Sequence, residues 1–369
     1  MFEIWRTDIM FDYKFNKFIG VFNKNNFSDF VLGVDLGGTF TKICIAGIKE
    51  SKPHMLFVYD FKTKKLDSLN PAISQVLNHA KEKFDIEIDN ACIGAAGVIS
   101  KEKNFADLTN VSWNIDLREI INQRSLKKAF IINDFEALGY GINLLDENDT
   151  LNITLGNKAD EFRLPKAIIG AGTGLGKSIL YFNEKINGYV PLPSEGGHSD
   201  LPAYNDFELK FVEFIKKSKK ISEPVCYEEV LSGRGLVNIY NFLKSQNISE
   251  KNFVSNEIKK SIDKPAIISK YKNIDEICKK TFELFTRFYG RCAKNFVLDS
   301  MATGGLYIAG GIALKNKDIF SSDIFLEEFI SADQRSDILK QIPIYVITNP
   351  YAGLYGVCFA AMCKKQGRL

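Results

Sequence analysis

The sequence predicts an α/β protein of two domains, each with a mainly parallel sheet covered by helices. From Val31 to Asn133, and again from Lys166 onward, short apolar runs typical of strands alternate with helical segments. Each half opens on two apolar runs joined by a glycine-rich turn, and this internal repeat indicates two related domains. A chain of 369 residues is long enough for a sizeable core in each domain.

Composition excludes several classes of protein. Apolar residues make up 45% and charged residues 25%, as in soluble globular proteins, and the net charge of +3 suggests neither a nucleic-acid nor a membrane-surface partner. No apolar stretch approaches the length needed to cross a bilayer. The seven cysteines are scattered without a C-x-x-C, so we expect no disulfide framework, no structural zinc and a reduced, cytoplasmic location. The terminal Gly-Arg-Leu resembles a peroxisomal tripeptide and is the weaker alternative.

The elements predicted in chain order define the domains. Residues 1–30 are aromatic and mildly basic, and we interpret them as an extension that packs on the surface or on a partner. Strands are predicted at 31–35, 40–48, 55–61, 91–95, 129–133, 166–170, 178–182, 306–308 and 343–347. Helices are predicted at 71–83, 116–122, 206–217, 226–231, 234–244, 253–261, 273–298 and from Gly353 onward. The predicted domains are 31–144 plus 353–369 and 145–352, joined through the polar segment Asp146–Thr150.

Val31–Thr41 contains the first glycine-rich turn. Gly37 and Gly38 predict a tight hairpin turn in which a bulky anion can approach the backbone N–H groups. Asp35, at the strand end, can hold a hydrated Mg²⁺, which prefers oxygen ligands and retained waters, and Thr39 adds a hydroxyl donor. A plain hairpin turn with an incidental aspartate explains the same residues.

Ile168–Ser178 contains the second glycine-rich turn. Its ending, Gly-Lys-Ser, imitates a P-loop, but no long helix follows and residues 178–182 are strand-like. We therefore predict a second hairpin whose turn faces phosphates. The residues that carry this prediction are Thr173, Gly174 and Gly176. A glycine-rich turn without a ligand is the alternative.

Phe130–Gly139 is an apolar strand that runs into Asn133-Asp134 and then a helix. A carboxylate at the carboxyl end of a strand is well placed to accept a proton from an attacking hydroxyl. Asp134 is therefore a candidate general base. Capping of the following helix by Asp134 is the alternative, and for this segment alone it is the more common role.

The loop Pro193–Ser199 places Glu195 and His198 on either side of two glycines. The glycines let the backbone curl, so that both side chains can reach one small polar ligand; a solvated turn is the alternative. Glu228, in a helix predicted to end at Gly233, faces either the cleft between the two domains or water.

Small residues follow the strand predicted at 306–308. Gly310 and Gly311 permit the close approach of a flat ring such as a purine. Tight packing between the strand and the next helix explains the same glycines, and the segment alone favours that explanation.

With these motifs in order, the chain resembles the bacterial-type glucokinases, in the superfamily of hexokinases, actin and the large heat-shock chaperones. The resemblance runs from about Val31 to near the C-terminus. It implies two actin-like ATPase (ribonuclease H-like) domains flanking a cleft, with the N-terminal extension unmatched. It also implies ATP-dependent phosphorylation of glucose to glucose 6-phosphate with Mg²⁺, and we expect a homodimer without nucleic-acid or membrane partners.

The resemblance implies a role for each matched residue. Asp134 is the implied catalytic base, and Thr109-Asn110 followed by Trp113 matches a loop that contacts the sugar. The implied sugar ligands are Asn110, Asn133, Asp134, Glu195, His198 and Glu228. The implied nucleotide ligands are Asp35, Gly37, Gly38, Thr39, Gly172, Thr173, Gly174, Gly176, Gly310 and Gly311. Asp35 would bind Mg²⁺ through water.

The chain departs from the family pattern at two positions. Phe40 stands where Asn often follows Gly-Gly-Thr, and Arg234 replaces the Pro of Ser-Gly-Pro-Gly. Neither changes a reacting group, although Arg234 alters the loop near the sugar. Ser199–Phe207 has no Cys, whereas the related branch of repressors and N-acetylhexosamine kinases usually carries a zinc motif there.

Two other functions remain open. A kinase for another hexose, mannose or glucosamine, would use the same motifs. A non-catalytic actin-like ATPase or sugar sensor would share the two phosphate turns, but it has no reason to keep Asn133-Asp134 together with Glu195 and His198.

Overall fold

The structure, a computed structural model, describes residues 4–5, 11–109, 111–123, 126–153 and 163–369. The strands within these ranges are β1 (Ile4–Trp5), β2 (Tyr13–Lys17), β3 (Asp29–Leu36), β4 (Phe40–Lys49), β5 (Lys52–Lys62), β6 (Asn90–Ala95), β7 (Gly97–Ile99), β8 (Phe105–Leu108), β9 (Ile115–Asp116), β10 (Lys128–Asn133), β11 (Thr150–Asn152), β12 (Lys166–Ala171), β13 (Leu175–Asn183), β14 (Gly188–Ser194), β15 (Leu306–Ala309) and β16 (Ile344–Ile347). The α-helices are α1 (Asn70–Phe84), α2 (Leu117–Gln123), α3 (Asp134–Gly141), α4 (Asp206–Lys219), α5 (Gly233–Ser245), α6 (Asn252–Lys260), α7 (Lys264–Lys270), α8 (Glu276–Ser300), α9 (Gly311–Lys315), α10 (Asp323–Ile330), α11 (Ser336–Gln341) and α12 (Ala352–Lys365). None of these helices is both long and apolar enough to cross a membrane.

The chain divides into two compact units. The first comprises Met1–Asp146, Phe182–Pro191 and Asn349–Leu369, and the second comprises Glu147–Tyr181 and Leu192–Thr348. This division differs from the predicted domains chiefly because the first unit also takes in the residues before Val31 and the end of the β13–β14 hairpin. These segments could not be assigned from the sequence, because their assignment depends on packing.

The first unit is built on a seven-stranded sheet among the described residues, in the order β1-β2-β5-β4-β3-β6-β10. β3 and β4 form an antiparallel hairpin, while β3, β6 and β10 are parallel. Helices α1 and α2 pack on one face of the sheet, and α3 and α12 pack on the other. Because parallel strands share one carboxyl edge, the ends of β3 and β10 meet at the same edge.

The second unit repeats this arrangement. Its sheet has the order β11-β16-β15-β12-β13-β14, with β12 and β13 antiparallel and β12, β15 and β16 parallel. Its core is formed largely by helices, with Phe211, Phe285 and Phe325 fully buried. The predicted α/β class, with its repeated glycine-turn hairpin, is therefore confirmed.

The N-terminal region differs from the predicted surface extension, because β2 is a strand of the first sheet. It pairs antiparallel with β5, with Tyr13 opposite Phe61. Tyr13 is buried, and its ring lies 5.2 Å from that of Tyr59. Aromatic residues at every second position, Phe11, Tyr13 and Phe15, were the signal of a strand with one buried face.

Candidate active site

The first glycine-rich turn joins β3 to β4 and is braced from one side by Thr63. The Gly37 N–H donates to the Phe40 carbonyl at 3.0 Å. The Thr63 hydroxyl donates to the Gly37 carbonyl at 2.7 Å, and the Thr63 N–H donates to the Thr39 carbonyl at 3.1 Å. Gly38 and Thr39 remain exposed, so the turn is held on one side and open to a ligand on the other. Thr63 lies far from the motif in sequence, so nothing in the sequence indicated that it contacts the turn.

Asp35 is the penultimate residue of β3 and lies directly opposite Lys42 of β4. No described residue forms a hydrogen bond or ion pair with its carboxylate. Burial raises the pKa of Asp35, and the charge of Asp134 raises it further, while Lys42 opposes both effects. A Cβ added at Gly353 would lie 3.6 Å from Asp35 Oδ2, so the carboxylate sits beside the first turn of α12, where a helix favours negative charge.

Asp134 is the first residue of α3, directly after β10. Asn133 caps the helix, because its Oδ1 accepts the Phe135 N–H at 2.8 Å, and Asp134 Oδ1 accepts the same N–H at 2.9 Å. Burial raises the pKa of Asp134, although the backbone N–H groups of Phe135 and Asp134 itself oppose the shift. The cap that the sequence offered as the alternative role of Asp134 is formed by Asn133, and Asp134 is instead the first residue of the helix.

Gly94 of β6 lies between β3 and β10, opposite Asp35 on one side and Ile132 on the other. The charge of Asp134 acts on Asp35, because it contributes to the raised pKa of Asp35. The first unit thus brings together Asp35, the first turn and Asp134 at one sheet edge.

The loop implied to contact the sugar is described only in part. The Thr109 N–H donates to the Ala96 carbonyl at 3.3 Å, and Trp113 packs against the core. Asn110 lies outside the described residues, so its role stays a prediction.

The second glycine-rich turn joins β12 to β13 at residues 172–174. The Gly172 N–H donates to the Gly174 carbonyl at 2.8 Å, and the Gly233 N–H donates to the Gly172 carbonyl at 2.9 Å. Thr173 is exposed, and a Cβ at Gly172 would meet nothing within 4 Å. Gly176 lies one step back, in the β13 ladder opposite Gly170, rather than in the turn itself.

Lys177 explains why the resemblance of this segment to a P-loop is superficial. Its side chain is buried, and its ammonium lies 4.9 Å from the ring centroid of Tyr227 and 5.3 Å from that of Phe296. A P-loop lysine must reach the phosphates. Here the lysine instead supports the core beneath the turn.

The loop with Glu195 and His198 is packed against the second turn. A Cβ at Gly197 would lie 2.1 Å from the Leu175 carbonyl oxygen, so only glycine allows this approach. The His198 N–H donates to the Glu195 carbonyl at 2.9 Å, forming a short 3-10 turn. The side chains of Glu195 and His198 are exposed.

The segment with Glu228 is joined to that loop by the backbone. The Tyr227 N–H donates to the Ser199 carbonyl at 2.9 Å, and the Cys226 sulfur lies 3.9 Å from His198 Nδ1. Residues 226–231, predicted as a helix, form only a 3-10 turn at Tyr227–Glu229. The contact between Cys226 and His198 could not be found from sequence, because nothing in the local pattern pairs them.

Glu228 has both carboxylate oxygens engaged. Oε2 accepts the Leu175 N–H at 2.8 Å, and Oε1 pairs with Arg234 in the first turn of α5. Arg234 also pairs with Glu229 at 3.3 Å. The residue that departs from the Ser-Gly-Pro-Gly pattern therefore pairs with Glu228, whose other carboxylate oxygen is bound at the end of the second turn.

Gly310 and Gly311 follow β15, which runs parallel to β12, so they lie at the same sheet edge as the second turn. Gly310 has φ +94°, and a Cβ there would lie 2.5 Å from the Ala171 carbonyl oxygen. A Cβ at Gly311 would meet nothing within 4 Å. Gly310 is thus required by the backbone, whereas Gly311 borders open space.

Comparison with known proteins supports the resemblance. The Glucokinase family model matches residues 32–364. The chain is 33% identical over 350 residues to a glucokinase of Nostoc punctiforme, covering 91% of this chain and 99% of that protein. The structure resembles that of a glucokinase from an Antarctic psychrotroph, with a TM-score of 0.76, 27% identity and coverage of 90% and 98% of the two chains.

A second solved structure shares the fold at lower identity. It is the glucokinase of Balamuthia mandrillaris in complex with glucose, with a TM-score of 0.72, 24% identity and coverage of 90% and 93% of the two chains. The repeated sheet topology and these matches agree, and the chain belongs to the glucokinase family, with its actin-like α/β fold.

Proposed function

We propose that this protein transfers the terminal phosphoryl group of ATP to glucose, giving glucose 6-phosphate, with Asp134 as the general base. The observation that carries the proposal is the position of Asp134 at the carboxyl end of β10, on the same edge as Asp35 and the first turn. Its raised pKa favours this role, because a base is a stronger proton acceptor as its pKa approaches the working pH.

The two glycine turns are the proposed ligands of the ATP phosphates. Gly38, Thr39 and Thr173 are exposed and can offer backbone N–H and hydroxyl groups to the charge that develops on the phosphoryl oxygens. Gly37, Gly172 and Gly174 shape the two turns around them, and Gly176 supports the second turn from its strand. The open space at Gly311 supports a place for the purine beside Gly310-Gly311.

Asp35 fits a hydrated Mg²⁺. Its carboxylate is partly buried and has no partner among the described side chains, and Mg²⁺ prefers carboxylate oxygen together with retained waters. When bound, the ion would neutralise charge on the phosphates. The chain itself holds the carboxylate beside the first turn, with Lys42 across the ladder and α12 behind it.

The proposed sugar ligands are polar side chains suited to a polyhydroxylated molecule. They are Asn110, Asn133, Asp134, Glu195, His198 and Glu228. Each polar group that a wrong sugar covers but leaves unpaired would cost about 1–3 kcal/mol, so such a set can separate epimers. The glucokinase relatives favour glucose, and mannose and glucosamine remain the alternative substrates.

A panel of sugars tests the proposal. ADP release is measured with glucose, mannose and glucosamine, and kcat/KM is compared. We expect glucose to exceed the other two by roughly tenfold or more, as the loss of one paired hydroxyl implies. A higher value for another hexose would establish that sugar as the substrate, and ADP release that no sugar stimulates would indicate a non-catalytic protein.

We also propose a cytoplasmic homodimer. The location is in keeping with the bacterial relatives, and we do not extend the proposal to the Gly-Arg-Leu signal. Sedimentation equilibrium tests the dimer, because a mass near 41.6 kDa would indicate a monomer instead.

A further inference from the structure

A cavity of about 440 Å³ lies in the first unit, beside the first glycine turn. Its walls come from β2, β4, β5 and the residues that follow β5. The lysines that line it are Lys14, Lys42, Lys62 and Lys65, and the acids are Asp12 and Asp60. The cavity therefore has a surplus of two positive charges.

Part of this charge is balanced within the sheet. Lys14 lies opposite Asp60, and Asp60 lies opposite Lys42, in the registers of three adjacent strands. Directly opposite side chains have Cβ atoms about 5 Å apart, so Asp60 is shared between two lysines. Lys65 pairs with Asp12 at 3.4 Å.

Lys62 is the lysine of this set that has no acid opposite it. Its side chain is exposed and has no hydrogen-bond or ion-pair partner within the described residues. It lies opposite Phe40 across the β4–β5 ladder, and the Phe40 ring is 45% exposed. An ammonium group beside an open aromatic wall suits an anion attached to a compact body, such as a phosphate ester.

A second cavity of the same unit shows that this surplus is not general. That cavity, of about 380 Å³, has as many acids as lysines. Its Lys81 pairs with Glu87, Lys127 lies 3.7 Å from Asp89, and Lys365 lies 2.6 Å from Asp89. Because each lysine of this cavity is paired with an acid, we expect no anion to bind there.

The cavity around Lys62 also depends on the N-terminal strand. Asp12 and Lys14 precede the residues 32–364 that match the family. One wall is therefore contributed by a segment outside the matched part of the chain, so the site does not follow from family membership. The first turn ends at Phe40, whose carbonyl accepts the Gly37 N–H at 3.0 Å.

We propose that this cavity binds a small phosphate monoester at a site separate from the turns that bind ATP, with Lys62 as the principal charged ligand. Because Phe40 belongs both to the cavity and to the first turn, an occupant changes the affinity for nucleotide.

The test is calorimetric titration of the full-length protein with glucose 6-phosphate and, separately, glycerol 3-phosphate. Saturating glucose and a non-hydrolysable ATP analogue keep the catalytic site filled. We expect one equivalent of at least one ester to bind, and Lys62→Gln to weaken that binding by roughly tenfold, as loss of a charge-assisted hydrogen bond does. The matched control, Lys52→Gln, removes an exposed lysine from the other end of β5 and should change nothing.

Two results would overturn the site: no binding to the saturated wild type, or equal affinities of Lys62→Gln and Lys52→Gln. A second titration measures the affinity for the ATP analogue with and without the ester. Because coupling between two bound ligands is reciprocal, we expect the ester to change the affinity of the wild type for the ATP analogue. Lys62→Gln should abolish this change. Equal nucleotide affinities in wild type with and without ester would refute the coupling.

Discussion

The backbone N–H of Leu175 donates a 2.8 Å hydrogen bond to Glu228, and the Leu175 carbonyl lies against Gly197. The first contact ties a proposed sugar ligand to the turn proposed to bind phosphate. The second places the loop of Glu195 and His198 on the same residue. In the second unit, therefore, the proposed sugar and phosphate ligands share one support.

We predict that Glu228→Ala raises the KM for glucose and also the KM for ATP, each by roughly tenfold, because it removes a charged partner from both the sugar and the turn. Glu195→Ala should raise only the KM for glucose. Initial-rate kinetics with each substrate varied will check this. The control, Glu229→Ala, removes a neighbouring acid whose hydrogen bonds and ion pairs in the described part of the chain do not include the turn. An effect of Glu228→Ala on one substrate alone would break the proposed link.

Gly311→Val should raise the KM for ATP several-fold and leave glucose affinity unchanged, because its side chain enters open space proposed for the purine. Gly20→Val is a matched control, since a Cβ at that exposed glycine also meets nothing within 4 Å. Gly310 is a poorer probe, because its φ of +94° makes any substitution strained. Unchanged ATP binding in Gly311→Val would show that the purine does not bind beside Gly311.

The two glycine hairpins and Asp134 could be predicted because their signals are local. An apolar run, a glycine turn and a polar residue at a strand end are all visible within about ten residues. Gly176 shows the limit of such signals, since only the register places it opposite Gly170 in the ladder.

Contacts between residues on different strands could not be predicted from the sequence, because they depend on the order and register of the strands. The row of Lys14, Asp60, Lys42 and Asp35 exists because β2, β5, β4 and β3 are neighbours in a particular register. Thr63 and Arg234 likewise act on residues brought near by folding. β2, which was not predicted, did have a sequence signal, the aromatic residues at every second position.

The raised pKa of Asp134 predicts that this carboxylate destabilises the fold at neutral pH. The unfolded chain ionises near the ordinary value of about 3.9, below the folded pKa, so the stability contribution is complete at lower pH and is lost as pH rises through the folded pKa. Asp134→Asn should therefore have a higher Tm than wild type at pH 7.

Calorimetric melting at pH 4 and pH 7 measures this difference. The increase in Tm caused by Asp134→Asn should be smaller at pH 4 than at pH 7. The control Asp67→Asn replaces an exposed aspartate, and its effect on Tm should not differ in this way between the two pH values. A Tm of Asp134→Asn below that of wild type at pH 7 would contradict the destabilising role.

We predict that the protein contains no structural zinc. The Cys226 sulfur lies 3.9 Å from His198 Nδ1, but a structural zinc site needs four ligands. Metal analysis of protein purified without added zinc should find far less than one equivalent. A stoichiometric amount that Cys226→Ser abolishes would disprove this and place a metal beside the proposed sugar loop.

The role of Asp134 as the general base is the central claim, and Asp134→Asn tests it most directly. Asparagine keeps the shape and the bond from the Phe135 N–H but cannot accept the proton. Turnover and calorimetric glucose affinity are measured on one preparation. We expect turnover to fall about 10²–10⁴-fold while glucose affinity is largely kept. Retention of more than about a tenth of the wild-type turnover would contradict the assignment.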